Sequence, residues 1–586
     1  MNFSKRIAVV KALVYGCSLA LILNLFQIQV IQGGHYAKLG ERNRIRLIPI
    51  PAPRGKILDR NGLVFATNRP AYGVYITPED FDPEDLTVLS ELLRLSADEI
   101  RHRLGVTRMK ALTPIAIKKD VGKEIAMQIE ERKPTLSGVF IQAEGVRYYP
   151  NGALNGHVLG YIGKISQEEY RTLDRDVFGL HSYIGRAGVE KTFDDSLRGE
   201  DGGRQIEVNA RGEQLKVLSE KKPVAGKDIT LSLDLRLENE IVPFLGNRRI
   251  SVALMEIETG EMLALLNHPD FDPNVFVESE KDEERLKLLK DKTRPLINRA
   301  ATGLYPAGSI FKLVTALAGL ETGKITRYTT FECKGHFRLS PRSRMFKCWE
   351  PEGHGQVDLY KALERSCNVY FYNVGRLAGE KAISNYAHML GFGEPLGMEI
   401  PSSDGLIPSA EWKRARYSDS WYLGETVSFA IGQGYVLVSP LQVLRMVSII
   451  AKDGIRPDMS IIKDHPRKSQ FKSSVYAHQD SFKAIKQGML RVVESKFGTG
   501  QLARIDFLRL AGKTGTAQAP PEEPHAWFVG FFPYEAPKVA LVVFVEHGGS
   551  GGLVAAKVVK QILPAWKKLY SADTVYQKPE LPPVNL

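Results

Sequence analysis

Residues 304–320 read LYPAGSIFKLVTALAGL, with Ser309 three residues ahead of Lys312. Pro306 and Gly308 mark a turn, and Ile310, Leu313, Val314 and Leu317 follow at helical spacing, so the pattern predicts a loop becoming a helix at Ser309. Residues three apart share a helix face, which puts the Lys312 amine within reach of the Ser309 hydroxyl. Spacing alone does not single this pair out. Ser219/Lys222, Ser460/Lys463 and Ser469/Lys472 repeat it where nothing else suggests chemistry, and a capped helix start with a solvated lysine is its plain structural reading.

Two tripeptides that each occur once supply the context. Ser366-Cys367-Asn368 follows a helical stretch, DLYKALER, and Lys513-Thr514-Gly515, continued by Thr516, lies on an apparent strand, RLAGKTGTAQ. Alone, either would be an ordinary loop or strand. Together, on helix, loop and strand in that order, they provide what a serine acyl transfer requires. A serine hydroxyl is a poor nucleophile until a base takes its proton, and Lys312 is such a base only if burial or a neighbouring cation lowers its pKa. Lys513 is the neighbouring cation. Ser366 is placed to relay the proton to a leaving amine, and Asn368 to hold a substrate amide or Lys312. An edge strand carrying Thr514, Gly515 and Thr516 would pair with an extended peptide and bind its terminal carboxylate, with the backbone N–H groups of Ser309 and Thr516 as an oxyanion hole.

The chain has 586 residues, enough for roughly three to four units or one large enzyme domain with additions. Apolar residues make up 43% and charged residues 25%, which argues against long disorder. The net charge of +12 is dispersed, with no arginine-rich arm, so it fits an anionic membrane or cell-wall polymer better than nucleic acid. Lys5, Arg6 and Lys11 precede ALVYGCSLALILNLFQIQVI, the stretch from Ile7 to Ile31 is long enough to span a bilayer, and the basic residues hold residues 1–6 in the cytoplasm. Ser18-Leu-Ala20 fits a cleavage pattern, but more than ten mostly apolar residues follow it, so an uncleaved anchor in the inner membrane is expected, with all that follows outside the cytoplasm. An extended, β-rich pedestal is then expected over residues 35–225, with charged helical segments between 80 and 135. From 226 to 570 the pattern is α+β, an antiparallel sheet flanked by helices, and residues 571–586 read as a flexible tail.

YPAGSIFK, SCN and KTGTAQ resemble the three motifs of the penicillin-binding transpeptidases. RGKILDRNG (54–62), GVEKTFDDSLRG (188–199) and IGQGYVLVSPLQ (431–442) are similar to the class B members. Together with HAWFVGFFP and EHGGSGG, they resemble the elongation type. The resemblance covers nearly the whole chain. It implies a peptidoglycan D,D-transpeptidase of cell elongation and shape maintenance: Ser309 attacks the penultimate D-Ala carbonyl of a D-Ala-D-Ala donor stem, terminal D-Ala leaves, and the acyl group passes to an amine of a neighbouring stem. The acceptor is diaminopimelate or lysine. β-Lactam antibiotics would acylate the same serine, and no cofactor is required for the chemistry. No glycosyltransferase module stands before the transpeptidase, so the resemblance implies a RodA-type glycan polymerase and other elongation-machinery proteins as partners. Two alternatives share these motifs: a D,D-carboxypeptidase or β-lactamase that lets water deacylate the serine, and a non-catalytic β-lactam sensor or scaffold.

Cys17 lies within the membrane span as a small packing residue. Cys333, Cys348 and Cys367, with His354 among them, fall within 35 residues and offer a closed tetrahedral Cys₃His set for a structural zinc ion. The absence of a close Cys-x-x-Cys pair and the extracytoplasmic setting leave a Cys333–Cys348 disulfide and free thiols as alternatives. Some elongation-type relatives carry a four-ligand metal site in this region. His157 and His336 read as satisfied core or surface residues.

Overall fold

The computed structural model describes residues 3–34, 45–105, 114–172, 183–208, 214–278, 281–465 and 474–570. The expected tail, 571–586, and the Ser469/Lys472 pair lie outside these residues. The first helix, Phe3–Phe26, continues as a π-helical turn over Gln27–Ile31. Its apolar stretch, Ile7–Ile31, is 25 residues long and is not buried against any other described part of the chain. At 1.5 Å per residue this spans ~37 Å, more than a bilayer's hydrocarbon core, and it fits a single-pass membrane anchor.

The N-terminal region is built on the long strand Val64–Ile76, which pairs antiparallel with Val139–Tyr148 on one side and Ile115–Val121 on the other. Helices Leu86–Leu93, Ala97–Gly105 and Lys123–Glu131 bury Leu89, Leu93, Ile100 and Ile129 against Val74, Ile76 and Ile117 of that sheet. A separate three-stranded sheet joins Ile45–Ile50, Gly202–Val208 and Gln214–Lys221. Between these parts the Glu190 carboxylate is fully buried and accepts from Arg54 Nε and Arg147 Nε, each at 2.6 Å, and from Tyr149 Oη at 3.1 Å. Burying one carboxylate is tolerable here because two guanidiniums and a hydroxyl satisfy it.

The C-terminal region is α+β, as the sequence pattern predicts. Its sheet runs Met262–His268, Ile250–Glu256, Val539–Val545, Glu522–Phe532, Ala511–Ala519, every neighbouring pair antiparallel. Both faces are covered, which is why the central strand VALVVFV is apolar at every position rather than alternating. Ala253, Met255, Val542 and Phe544 face one core with helices Lys312–Glu321, Asn368–Ala378, Pro440–Ala451 and Gln479–Glu494. Val252, Leu254, Leu541 and Val543 face the other, against helices Leu235–Ile241 and Ala556–Tyr570. Helix Pro440–Ala451 is buried all round and opens with a capping box, Ser439 and Gln442 bonding reciprocally. The two regions meet through Asn155 donating to the buried Glu238 carboxyl and through His157, whose Nε2 bonds the Pro295 carbonyl and whose Nδ1 lies 2.8 Å from Asp270 Oδ1, so His157 is a buried core residue.

Candidate active site

The turn carrying Ser309 forms as a 3₁₀ segment, Gly308–Phe311, that runs straight into helix Lys312–Glu321. Gly308 has φ +55°, and a Cβ there would lie 2.9 Å from the Thr516 carbonyl oxygen. Its N–H donates to the Gly432 carbonyl at 2.9 Å. Glycine is therefore required both by the backbone conformation and by the close approach of two neighbouring segments. The half-buried Ser309 is thereby held between strand Ala511–Ala519 and the loop at Gly432.

Lys312 is wholly buried, and its ammonium donates to the Ser366 carbonyl at 2.7 Å, Ser366 Oγ at 3.2 Å and Asn368 Oδ1 at 2.7 Å. Asn368 thus holds Lys312. Ser366 sits in the left-handed region, φ +53°, a conformation uncommon for a non-glycine residue that turns its hydroxyl inward. From the opposite side Lys513 Nζ donates to the same Ser366 Oγ at 2.9 Å and to the Thr514 carbonyl at 2.9 Å. One hydroxyl thus joins two buried amines. Burial pushes Lys312 down to about 8, with Cys367 and Cys348 opposing, and burial together with Lys312 pushes Lys513 well below the usual range. Two ammonium groups this close and this dry favour losing a proton, which is the condition a lysine base needs.

Strand Ala511–Ala519 lies at one edge of the sheet, so its outer side is open to an added strand. Thr514 is buried and Thr516 exposed, and Thr516 Oγ1 accepts from the Gly551 N–H at 3.3 Å. Thr514 Oγ1 bonds Thr499 Oγ1 at 2.6 Å. Thr499 was missed by the sequence reading. Its only signal is the glycine-flanked FGTG after a helix, and nothing local says that this loop meets the Lys513 strand.

The structure also brings Cys333, Cys348, His354 and Cys367 together, their ligand atoms all within 4.8 Å of one another. His354 Nδ1 lies 3.5 Å from Cys333 Sγ and 3.6 Å from Cys348 Sγ, and no disulfide joins the thiols. Hydrogen bonds from Cys367 hold the Cys333 and Cys348 thiols well below their ordinary range. The same contacts push the Cys367 thiol up, so the three sulfurs do not ionise alike; with one imidazole nitrogen they make a Cys₃His donor set of the kind that binds a tetrahedral cation. Cys367 caps helix Asn368–Ala378 and separates Ser366 from Asn368, so the cluster is tied directly to the catalytic loop. His336 is exposed and takes no part.

Comparison with known proteins identifies the family. The model of the penicillin binding protein transpeptidase domain matches residues 250–564, and that of the penicillin-binding protein dimerisation domain matches residues 49–231. The chain belongs to the class B penicillin-binding proteins. It is 32% identical to the peptidoglycan D,D-transpeptidase MrdA of Acinetobacter baumannii, over 96% of this chain and 87% of that protein. Among solved structures, the penicillin-binding protein PBP2 of Helicobacter pylori in complex with MreC superposes with a TM-score of 0.80 at 30% identity, covering 90% of this chain and all of that one. A peptidoglycan synthase complex that coordinates polymerization and crosslinking matches with a TM-score of 0.71 at 30% identity, over 98% of this chain and all of the other. Within the class B penicillin-binding proteins these likenesses are to the elongation type, as the motifs suggested.

Proposed function

We propose that this protein is a serine-type peptidoglycan D,D-transpeptidase of cell elongation and a target of β-lactams. The observation that carries the assignment of roles is the single Ser366 hydroxyl bridging Lys312 and Lys513. Neutral Lys312 takes the Ser309 proton as Oγ attacks the penultimate D-Ala carbonyl of the donor stem. The oxyanion is held by the Ser309 and Thr516 N–H groups. The proton passes through Ser366 to the departing D-Ala amine as the C–N bond breaks, leaving acyl-Ser309. An acceptor amine then attacks, gives up its proton by the reverse route, and frees Ser309. Asn368 fixes Lys312, Thr514, Gly515 and Thr516 guide the donor along the edge strand, and Lys513 attracts its carboxylate. Full-length protein supplied with D-Ala-D-Ala stems and an amine acceptor is expected to form amide-crosslinked product faster than free acid. Free acid as the main product would assign it to the carboxypeptidase class instead.

The same reading places the anchor at 7–31, the pedestal at 35–225 and the catalytic domain at 226–570, the last outside the cytoplasm. The complexes formed by the two structural relatives support elongation-machinery partners, and a RodA-type polymerase is the one proposed to supply glycan. The Cys₃His cluster is proposed to hold a structural zinc. When bound, a closed four-ligand zinc supplies rigidity and not Lewis acidity, because no coordination position is left for substrate. Cys333, Cys348 and His354 then anchor Cys367, and with it the Ser366 hydroxyl and the Asn368 amide. Protein purified without added metal is expected to contain about one zinc per chain by elemental analysis and to lose thermal stability on chelation. A metal content near zero, or an intact mass lower by a disulfide, would contradict this.

A further inference from the structure

Two stretches of the sequence, HAWFVGFFP from His525 and EHGGSGG from Glu546, each bring one histidine to the same place, and neither takes part in the steps above. His525 is buried on strand Glu522–Phe532, two residues from Trp527 and so on the same face of the sheet. That face carries the segment leading into the turn with Ser309. Trp527 Nε1 donates to the Pro306 carbonyl at 3.2 Å, and the Tyr305 ring meets His525 edge-on, 5.3 Å between centres. Phe544, on the neighbouring strand, lies 5.6 Å from the same imidazole. The ring is thus fixed by Tyr305 and Phe544, and its Nδ1 faces the loop that follows strand Val539–Val545.

There Nδ1 accepts from the His547 N–H at 3.0 Å. A backbone amide only donates, so this nitrogen carries no proton. Burial pushes His525 down to about 4, with the His547 ring reinforcing it and Glu546 opposing, which keeps the imidazole neutral. His547 is in the left-handed region, φ +51°, so the bond to His525 holds a conformation that a non-glycine residue seldom adopts. From that point the loop is laid along the start of the same strand. His547 Nδ1 bonds the Glu523 carbonyl at 2.9 Å, and the Gly549 N–H donates to the Pro524 carbonyl at 2.8 Å. The loop ends on strand Ala511–Ala519, where the Gly551 N–H donates to Thr516 Oγ1 at 3.3 Å. A Cβ on Gly551 would lie 2.1 Å from the Gly515 carbonyl oxygen, so the loop is seated directly on that backbone. A hydroxyl that accepts from an N–H keeps its own hydrogen to donate, and Thr516 is exposed at the open edge of the sheet.

We propose that His525 is a positioning residue: through the 547–551 loop its Nδ1 sets the Thr516 hydroxyl as a donor to the terminal carboxylate of the donor stem. The inference rests on the transpeptidase reading above. The imidazole acts by fixing the loop and not by moving a proton, since its one free lone pair is already taken by the His547 N–H.

The test uses full-length protein and stopped-flow acylation by benzylpenicillin, whose carboxylate stands in for that of terminal D-Ala, beside the penicillin methyl ester, which has none. Each is read as a dissociation constant and a first-order acylation rate. His525→Phe keeps a ring and loses the acceptor. It is expected to weaken penicillin binding about tenfold, the worth of a hydrogen bond to a charged group, with the acylation rate within about threefold and the ester unmoved. His525→Asn, whose Oδ1 stands as many bonds from the backbone as Nδ1, is expected to recover most of the loss. In a Thr516→Val background His525→Phe should add less than about twofold, because the hydroxyl it orients is already gone. If His525→Phe fails to fold, His525→Gln, whose oxygen stands one bond further out, takes its place in every arm. A dissociation constant that stays put, that shifts equally for the ester or that multiplies with the Thr516→Val effect overturns the positioning role, as does an Asn variant no better than Phe. A wild-type chain that takes no penicillin overturns the transpeptidase reading, and this inference with it.

Discussion

At the scale of the residue, the site turns on which of two buried amines carries a proton. In the mechanism proposed above, Lys312, pushed down to about 8 by burial, is neutral when it accepts the Ser309 proton, so acylation by penicillin should rise with pH. Below pH 7 the rate is expected to fall about tenfold per pH unit, and above about 8 to level off, because only the neutral fraction reacts. Since Lys513 shares Ser366 with Lys312, the midpoint belongs to the pair, and Lys513→Met should move it. A stopped-flow pH profile of acylation between pH 5.5 and 9 checks this, and a flat profile would count against Lys312 as the base. Lys312→Met should cost roughly 10²–10⁴ in acylation rate, the usual worth of a positioned base. Ser309 and Lys312 were legible because the apolar spacing after them marks a helix start. The Ser366 bridge was not, because Lys513 lies 147 positions from Ser366 in the chain and no local pattern encodes the contact.

At the scale of the element, three segments touch at one glycine in the turn that carries Ser309. Gly308→Ala adds a Cβ against the Thr516 carbonyl and an unfavourable φ, the latter alone costing ~1 kcal/mol. Relief requires the turn to move off the Lys513 strand, and ångström-scale misplacement costs about a hundredfold. Gly308→Ala is therefore expected to fold with acylation down at least tenfold, read as the second-order rate with a fluorescent penicillin. A rate equal to wild type would show that the turn tolerates the shift. The sequence predicted a helix at Ser309, whereas the first turn is 3₁₀, a tightening common where α-helices begin and one that apolar spacing does not distinguish. The cysteine cluster was legible as a donor inventory. That all four ligand atoms converge, with no disulfide, needed one short hairpin nested within a second two-stranded pairing, which no periodicity announces.

For the whole molecule, what matters is how the β-rich region is joined to the catalytic domain. The fully buried Glu238 carboxyl, accepting from Asn155 across that junction, is pushed up to about 8 by burial. The fold therefore keeps a proton that the unfolded chain loses near pH 4.5. Its contribution to stability is complete below that pH and is lost as pH rises through about 8, at no more than ~1.4 kcal/mol per pH unit. Thermal midpoints of wild type should fall between pH 5.5 and 8, and Glu238→Gln should flatten that slope. Equal slopes would place the pH dependence elsewhere. The α+β class and the membrane span were legible from apolar run lengths and strand patterning. The Arg54–Glu190–Arg147 hub was visible only as letters within motifs, since its members come from three distant segments.

The central claim is that Ser309 is the acyl-accepting nucleophile. Membranes carrying the full-length protein, treated with fluorescent penicillin, digested and mapped by mass spectrometry, test it most directly. The adduct is expected on the peptide containing Ser309, and Ser309→Ala is expected to take no label while keeping the wild-type thermal midpoint. An adduct on another residue, or label persisting in Ser309→Ala, would contradict the account.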